Sequence, residues 1–150
     1  MSKNLLSIEN AKIIFRNFEG REDKFNRAGN RNFAVIIEDK EEALNLINDD
    51  WNLKVLKQRD PEDPICYYLP VTVNMEGNVS IKLVTNKNIN NLDAETVSTL
   101  DYIEIDSVDL IIRPYDWEVN GKTGRKAYLK TAYVTMVEDE FADKYADRNE

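Results

Sequence analysis

Apolar and polar residues alternate in short runs along most of this chain, and clusters of Asn, Asp, Gly and Pro separate the runs. Alternation with period two is the mark of a half-buried strand. Residues 5–16 read as a first strand centred on residues 11–15, and the apolar run at 32–37 as a buried one. Residues 51–58, 65–74 and 79–85 continue the pattern, with Pro61 and Pro64 forcing a turn between the first two of these. Helical spacing is confined to two places. Ala43, Leu44 and Ile47 predict a helix over 38–50 whose early acids, Glu41 and Glu42, suit the positive end of the helix dipole. Asp93 is placed to cap a short helix over 94–100 with Val97 and Leu100 buried, after a polar linker at 86–93.

The strongest local signal is a late β-hairpin. Residues 109–119 and 127–136 are strand-like, and the connection at 120–126 carries Asn120-Gly121 and Gly124, which supply the positive φ that a reversal needs. About seven short strands and two short helices, joined by local turns, argue against a parallel α/β sheet. The expected fold is mainly β: a small antiparallel barrel of the oligonucleotide-binding (OB-like) kind, with the hairpin protruding and one domain over 1–137 followed by an acidic tail at 138–150.

Composition narrows the chemistry. The chain has 150 residues, no histidine and one cysteine, Cys66, so it has no internal disulfide and no Cys/His zinc site. Histidine-assisted nucleophilic catalysis is excluded for the same reason. No cofactor or metal is expected. The first ten residues lack an apolar core and no run is long enough to cross a membrane, which predicts a soluble protein of a reducing compartment. The net charge is −8, but residues 138–150 hold six acids and two bases, so half of the excess lies in the tail.

The remaining bases cluster beside aromatic residues in two places. Lys122, Arg125, Lys126 and Lys130 accompany Tyr115, Trp117 and Tyr128 on the hairpin. Arg16, Arg21, Lys24, Arg27 and Arg31 accompany Phe18 and Phe25 around the polar loop at 17–31. Cations beside flat apolar rings suit single-stranded nucleic acid, because phosphates attract cations and unpaired bases stack on rings. If four to six of these bases touch phosphate, log K falls against log salt with a slope of roughly −3 to −4. One face of the hairpin must pack the core, and Trp117, Tyr128 and Tyr115, in that order, are the expected stacking residues. DNA and RNA are not separated by these features.

Two other readings fit parts of the chain. Asp106, Asp109, Asp116 and Glu118 near Lys122 have the residue types of a metal-dependent nuclease, without a defined spacing. A protein-binding or structural role would use the hairpin edge for strand addition, with Phe141 and Tyr145 as anchors, and a homo-oligomer is compatible with it.

A set of short motifs runs through nearly the whole chain: Ile8-Glu9-Asn10-Ala11, Phe25-Asn26, Gly29-Asn30-Arg31-Asn32-Phe33, Trp51-Asn52 and Tyr68-Leu69-Pro70-Val71. They are densest in Ile112-Arg113-Pro114-Tyr115, Trp117-Glu118-Val119-Asn120-Gly121-Lys122 and Lys126-Ala127-Tyr128-Leu129-Lys130. In these motifs the sequence resembles the single-stranded DNA-binding proteins of tailed bacteriophages. The resemblance implies an OB-like fold, sequence-tolerant binding of single strands, and service to phage DNA replication or recombination in the cytoplasm of the infected host. It further implies an acidic tail that recruits replication partners and competes with DNA, although this chain ends Asp147-Arg148-Asn149-Glu150 without a terminal aromatic.

Overall fold

The computed structural model describes residues 5–24, 26–86 and 88–137. Phe25 and the acidic segment 138–150, with Phe141 and Tyr145, lie outside the described residues. Among the described residues, nine strands, one α-helix and one 3-10 helix follow in the order β1 (Leu6–Ile8), β2 (Lys12–Asn17), β3 (Arg31–Ile37), α1 (Lys40–Asn48), β4 (Lys54–Leu56), β5 (Cys66–Val73), β6 (Ser80–Val84), β7 (Ile89–Leu92), the 3-10 helix (Val97–Asp101), β8 (Ile105–Val119) and β9 (Lys122–Met136).

The strands form one sheet in the order β1-β8-β9-β5-β3-β2, with β4 added to β5 and the β6–β7 pair added to β9. The sheet is mixed, not antiparallel throughout: β5 and β6 both run parallel to β9. β9 is 15 residues long, and two short strands dock on successive segments of it, β5 at Ala127–Tyr128 and β6 at Thr131–Thr135. Side-chain alternation is the same in either direction, so the pattern alone could not reveal this. The hydrogen-bonded order is also open, with β1 at one end and β2 at the other.

The inner face of the sheet holds the core. Phe33, Val35, Leu69, Val71, Ile112, Leu129 and Val134 are at most 2% exposed. Along β9 the inward positions shift from Ala127 and Leu129 to Ala132 and Val134, because Ile112 pairs with Leu129 and Ile111 with Thr131, leaving Lys130 as the extra residue of a β-bulge.

The predicted helix over 38–50 forms as α1, with the Asp39 carboxylate accepting from the Glu41 N–H at 3.0 Å. It buries Ala43 and Leu46, whereas Leu44 and Ile47 stay partly exposed. It ends in a Schellman motif. The Trp51 N–H donates to the Leu46 carbonyl and the Asp50 N–H to that of Ile47, both at 3.0 Å, with Asp50 at φ +68° where glycine is usual. That reversal drops Trp51 into the core beside Leu46. The second helix is shorter than predicted: Asp93 accepts from the Glu95 and Thr96 N–H groups, and only the 3-10 helix follows, burying Val97 and Leu100 as predicted. The polar linker at 86–93 contains β7, which pairs with β6 through backbone and leaves Ile89 exposed.

Candidate nucleic-acid interface

The hairpin turn is two residues long, Asn120 at φ +51° and Gly121 at φ +79°, the mirror-image geometry that matches strand twist. Lys122, Arg125 and Lys126 therefore sit on strand β9, not in a loop as the sequence predicted, and alternation divides them between two faces. Directly paired residues of an antiparallel ladder point the same way. The pairs Arg113 with Tyr128, Tyr115 with Lys126, Trp117 with Gly124 and Val119 with Lys122 thus share one face, and Asp116 with Arg125 occupies the other.

The shared face carries the chemistry. Tyr115 and Tyr128 meet edge-to-face, with centroids 5.9 Å apart and planes at 77°, and the Lys126 ammonium lies 5.3 Å from the Tyr128 centroid. Tyr115 is 52% exposed. A recess of about 540 Å³ opens against them, lined by Asn74, Arg113, Pro114, Tyr115 and Tyr128. Trp117 is 39% exposed and lies flat across Gly124, where an added Cβ would come within 2.5 Å of the indole Cζ2. Gly124 is therefore a seat for the ring, not the turn glycine it resembles in sequence.

Several predicted cations are committed to the protein. The Arg16 guanidinium donates to the Leu100 and Ile103 carbonyls at 2.7 and 2.8 Å, finishing the 3-10 helix. Arg31 donates to the Phe18 carbonyl at 2.5 Å and that of Ala94 at 3.2 Å. Arg125 forks onto Asp116 at 2.7 and 3.4 Å, donates to the Asp49 carboxylate at 3.0 Å and stands 5.5 Å from the Trp51 ring. Its hydrogen bond to Asp116 raises its pKa, and the charges of Asp49 and Asp50 add to this. Arg21 pairs with Glu19 at 3.6 Å. Lys24 and Arg27 line a separate recess with Glu22, Asp23 and Asn26.

The loop at 17–31 has structure of its own. Asn17 and Asn26 bond to its backbone, Asp101 accepts from the Phe18 and Glu19 N–H groups, and Phe18 is buried against Phe33 with centroids 5.1 Å apart. Phe18 is thus core.

The hairpin face continues across the body of the sheet. Tyr128 neighbours Thr72 on β5, which pairs with Asn32 on β3, while Pro70 pairs with Ala34. Beyond these, Tyr68 pairs with Ile36 on one side and Lys54 on the other. The sequence reading passed over this end. This end exposes Phe15, which alternation from Ile13 would send inward. The register of β2 breaks after Ile14, and Phe15, at φ +53°, turns out to solvent: it is 60% exposed and meets Tyr68 edge-to-face at 5.5 Å. A left-handed backbone at a phenylalanine costs roughly 1–2 kcal/mol.

The model of the phage ssDNA-binding domain family matches residues 1–150. The chain belongs to that family. Among solved structures, this member of the phage ssDNA-binding family is similar to the single-stranded DNA-binding protein of bacteriophage Enc34. The C-terminally truncated form matches with a TM-score of 0.55 and 10% identity, over 90% of this chain and 87% of that one. Its complex with ssDNA gives 0.52 and 11%, over 91% and 89%. The form without that truncation gives 0.50 and 12%, over 97% and 90%. At such identity the likeness is one of fold. No curated protein matches the chain.

The acids of the nuclease reading do not gather in this family member. Asp109 accepts from the Asn10 N–H at 2.9 Å, Asp116 holds Arg125, and no cluster of three or more acids or cysteines able to hold a metal occurs among the described residues. No helix among them is long and apolar enough to cross a membrane.

Proposed function

We propose that this chain binds single-stranded DNA without strong sequence preference, in the service of phage DNA replication or recombination in the host cytoplasm. The observation that carries the reading is the hairpin face, where Tyr115, Trp117 and Tyr128 lie in register with Arg113, Lys122 and Lys126. Rings offer stacking worth on the order of 1–3 kcal/mol per base, and the cations neutralise phosphates. Lys130, at the bulge, adds a cation beside this row. Of the other predicted bases, Arg16, Arg21, Arg31 and Arg125 act through the fold, and Lys24 and Arg27, at a recess of their own, are left out of this row.

The binding unit is residues 1–137, read as an OB-like barrel. The two ends of the hydrogen-bonded order, β1 and β2, are consecutive in the chain. Between them the Ala11 N–H donates to the Val108 carbonyl at 2.7 Å, which supports closure of the sheet where β1 leads into β2. The segment 138–150, with a net charge of −4, is assigned to competition with DNA and to recruitment of replication proteins.

Tryptophan fluorescence tests the reading. A Trp51→Phe variant leaves Trp117 as the only indole, and oligothymidine is added at low and then high salt, with duplex DNA as control. Quenching by the single strand that salt reverses and duplex does not reproduce is expected. No quenching, and no change in anisotropy of a labelled strand, would transfer the hairpin to a protein partner.

A further inference from the structure

An exposed phenylalanine held in left-handed backbone by a strand irregularity needs an explanation that packing does not give. Phe15 is 60% exposed, and the ring it meets, Tyr68, belongs to the outer face, since Tyr67 is the neighbour that packs on the core. Lys54 is paired with Tyr68 on the same side and has no carboxylate partner among the described residues. An edge-to-face aromatic pair with a cation beside it repeats the arrangement of Tyr115, Tyr128 and Lys126 on the hairpin.

The ground between the two pairs is open. Its floor is Ala34, Pro70 and Thr72, residues too short to obstruct a strand, and a recess of about 480 Å³ lies along it with Trp117 and Lys126 on its hairpin side. From Tyr68 to Tyr128 is four residues along β5 and one strand across, roughly 14 Å between Cα atoms at the usual strand spacings. One extended strand can touch both.

We propose that Phe15 and Tyr68, with Lys54, form a second base-stacking station, and that a single strand runs from the hairpin across Thr72 and Pro70 to reach it. The proposal rests on the single-stranded DNA reading given above. The backbone at Phe15 makes a clean test available. Glycine is at ease at φ +53°, so Phe15→Gly removes the ring without straining the fold, and Tyr68→Leu keeps an apolar strand residue while removing the second ring.

Anisotropy titrations of a labelled oligothymidine of about 15 nucleotides, a length within the usual site-size range, would compare the unmodified chain with Phe15→Gly, Tyr68→Leu and Tyr128→Ala, each checked by urea unfolding. The expected result is a loss of roughly 5- to 150-fold in affinity for each of the first two variants, the range of a lost base stack. Phe15→Gly should lose nothing in unfolding midpoint. Ultraviolet cross-linking of a bromouracil-containing strand should place adducts on the peptide containing Tyr68. If Tyr128→Ala weakens binding but Phe15→Gly and Tyr68→Leu do not, and no such adduct forms, the second station is overturned while the binding function stands. If the unmodified chain does not bind the strand, both readings fall.

Discussion

The salt dependence of binding distinguishes the structure from the bare list of bases. If all nine cations singled out in the sequence met phosphate, log K would fall against log salt with a slope near −6, at about 0.7 per contact on single strands. Arg16, Arg31 and Arg125 are instead held by carbonyls or carboxylates. The cations standing on or beside the outer face are Arg113, Lys122, Lys126, Lys130 and Lys54, which gives a slope of about −3.5. Between 50 and 500 mM salt that amounts to a loss of about three thousand-fold in affinity. Lys126→Ala should reduce the slope by about 0.7, whereas Arg16→Gln should leave it unchanged and lower stability by about 1.5–3 kcal/mol, because charge-assisted bonds to two carbonyls are weakened. Anisotropy of a labelled oligothymidine over that salt range measures the slopes, and urea unfolding measures the stabilities. A slope near −6 in the unmodified chain, or an equal flattening by Arg16→Gln and Lys126→Ala, would refute the assignment.

Three further outcomes are expected. Gly124→Ala puts a Cβ within 2.5 Å of the Trp117 indole, so the ring must leave its seat; in a Trp51→Phe background the emission should shift and unfolding should show a loss of about 1–3 kcal/mol, and an unmoved spectrum would contradict the geometry. Deleting 138–150 should tighten binding to oligothymidine, most at low salt where an anionic competitor acts most strongly; equal or weaker affinity would remove the tail from the groove. The Asp93 carboxyl lies below the usual carboxylate range, because it accepts from the Thr96 side chain and from the Glu95 and Thr96 N–H groups. Its contribution to stability is then present above the unfolded pKa and disappears as pH falls through the folded one, so Asp93→Asn should flatten the acid limb of a stability profile; an unchanged limb would show that the cap does not titrate with folding.

The parts of the fold readable in the sequence were those with local causes. Asn120-Gly121 marks a reversal because few other pairs tolerate positive φ twice, and Glu41 and Glu42 mark the start of α1 because of the dipole they sit against. Arg113, which was not singled out as a candidate in the sequence, could have been found in the same local way, since alternation puts it outward between buried Ile112 and Pro114. Other features depend on neighbours distant in sequence. The parallel docking of β5 and β6 on β9 leaves no trace in periodicity, and β7, with sequence INNL, has no alternation because its hold on β6 is through backbone. The exposure of Phe15 left no sign in the sequence because regular alternation would bury it, and only the irregularity in β2 turns it out. The charges at Arg16, Arg31 and Arg125 looked like ligand contacts because sequence shows a guanidinium but not the carbonyl it finds.

The place of β9 has a further effect on how the molecule is made. It follows every other strand among the described residues, yet it is the one against which β5, β6 and β8 all pair. During synthesis those three strands emerge first and wait, at about 5–20 residues per second, with an edge unpaired. Folding of the sheet therefore waits on its last strand, slow in the manner of long-range β topologies, and exposed to misassociation until residue 136 is free of the ribosome. A nascent chain stopped at residue 121 would keep most of its apolar surface and none of the strand that organises it, which makes it a substrate for chaperones or proteases and not a smaller version of the protein.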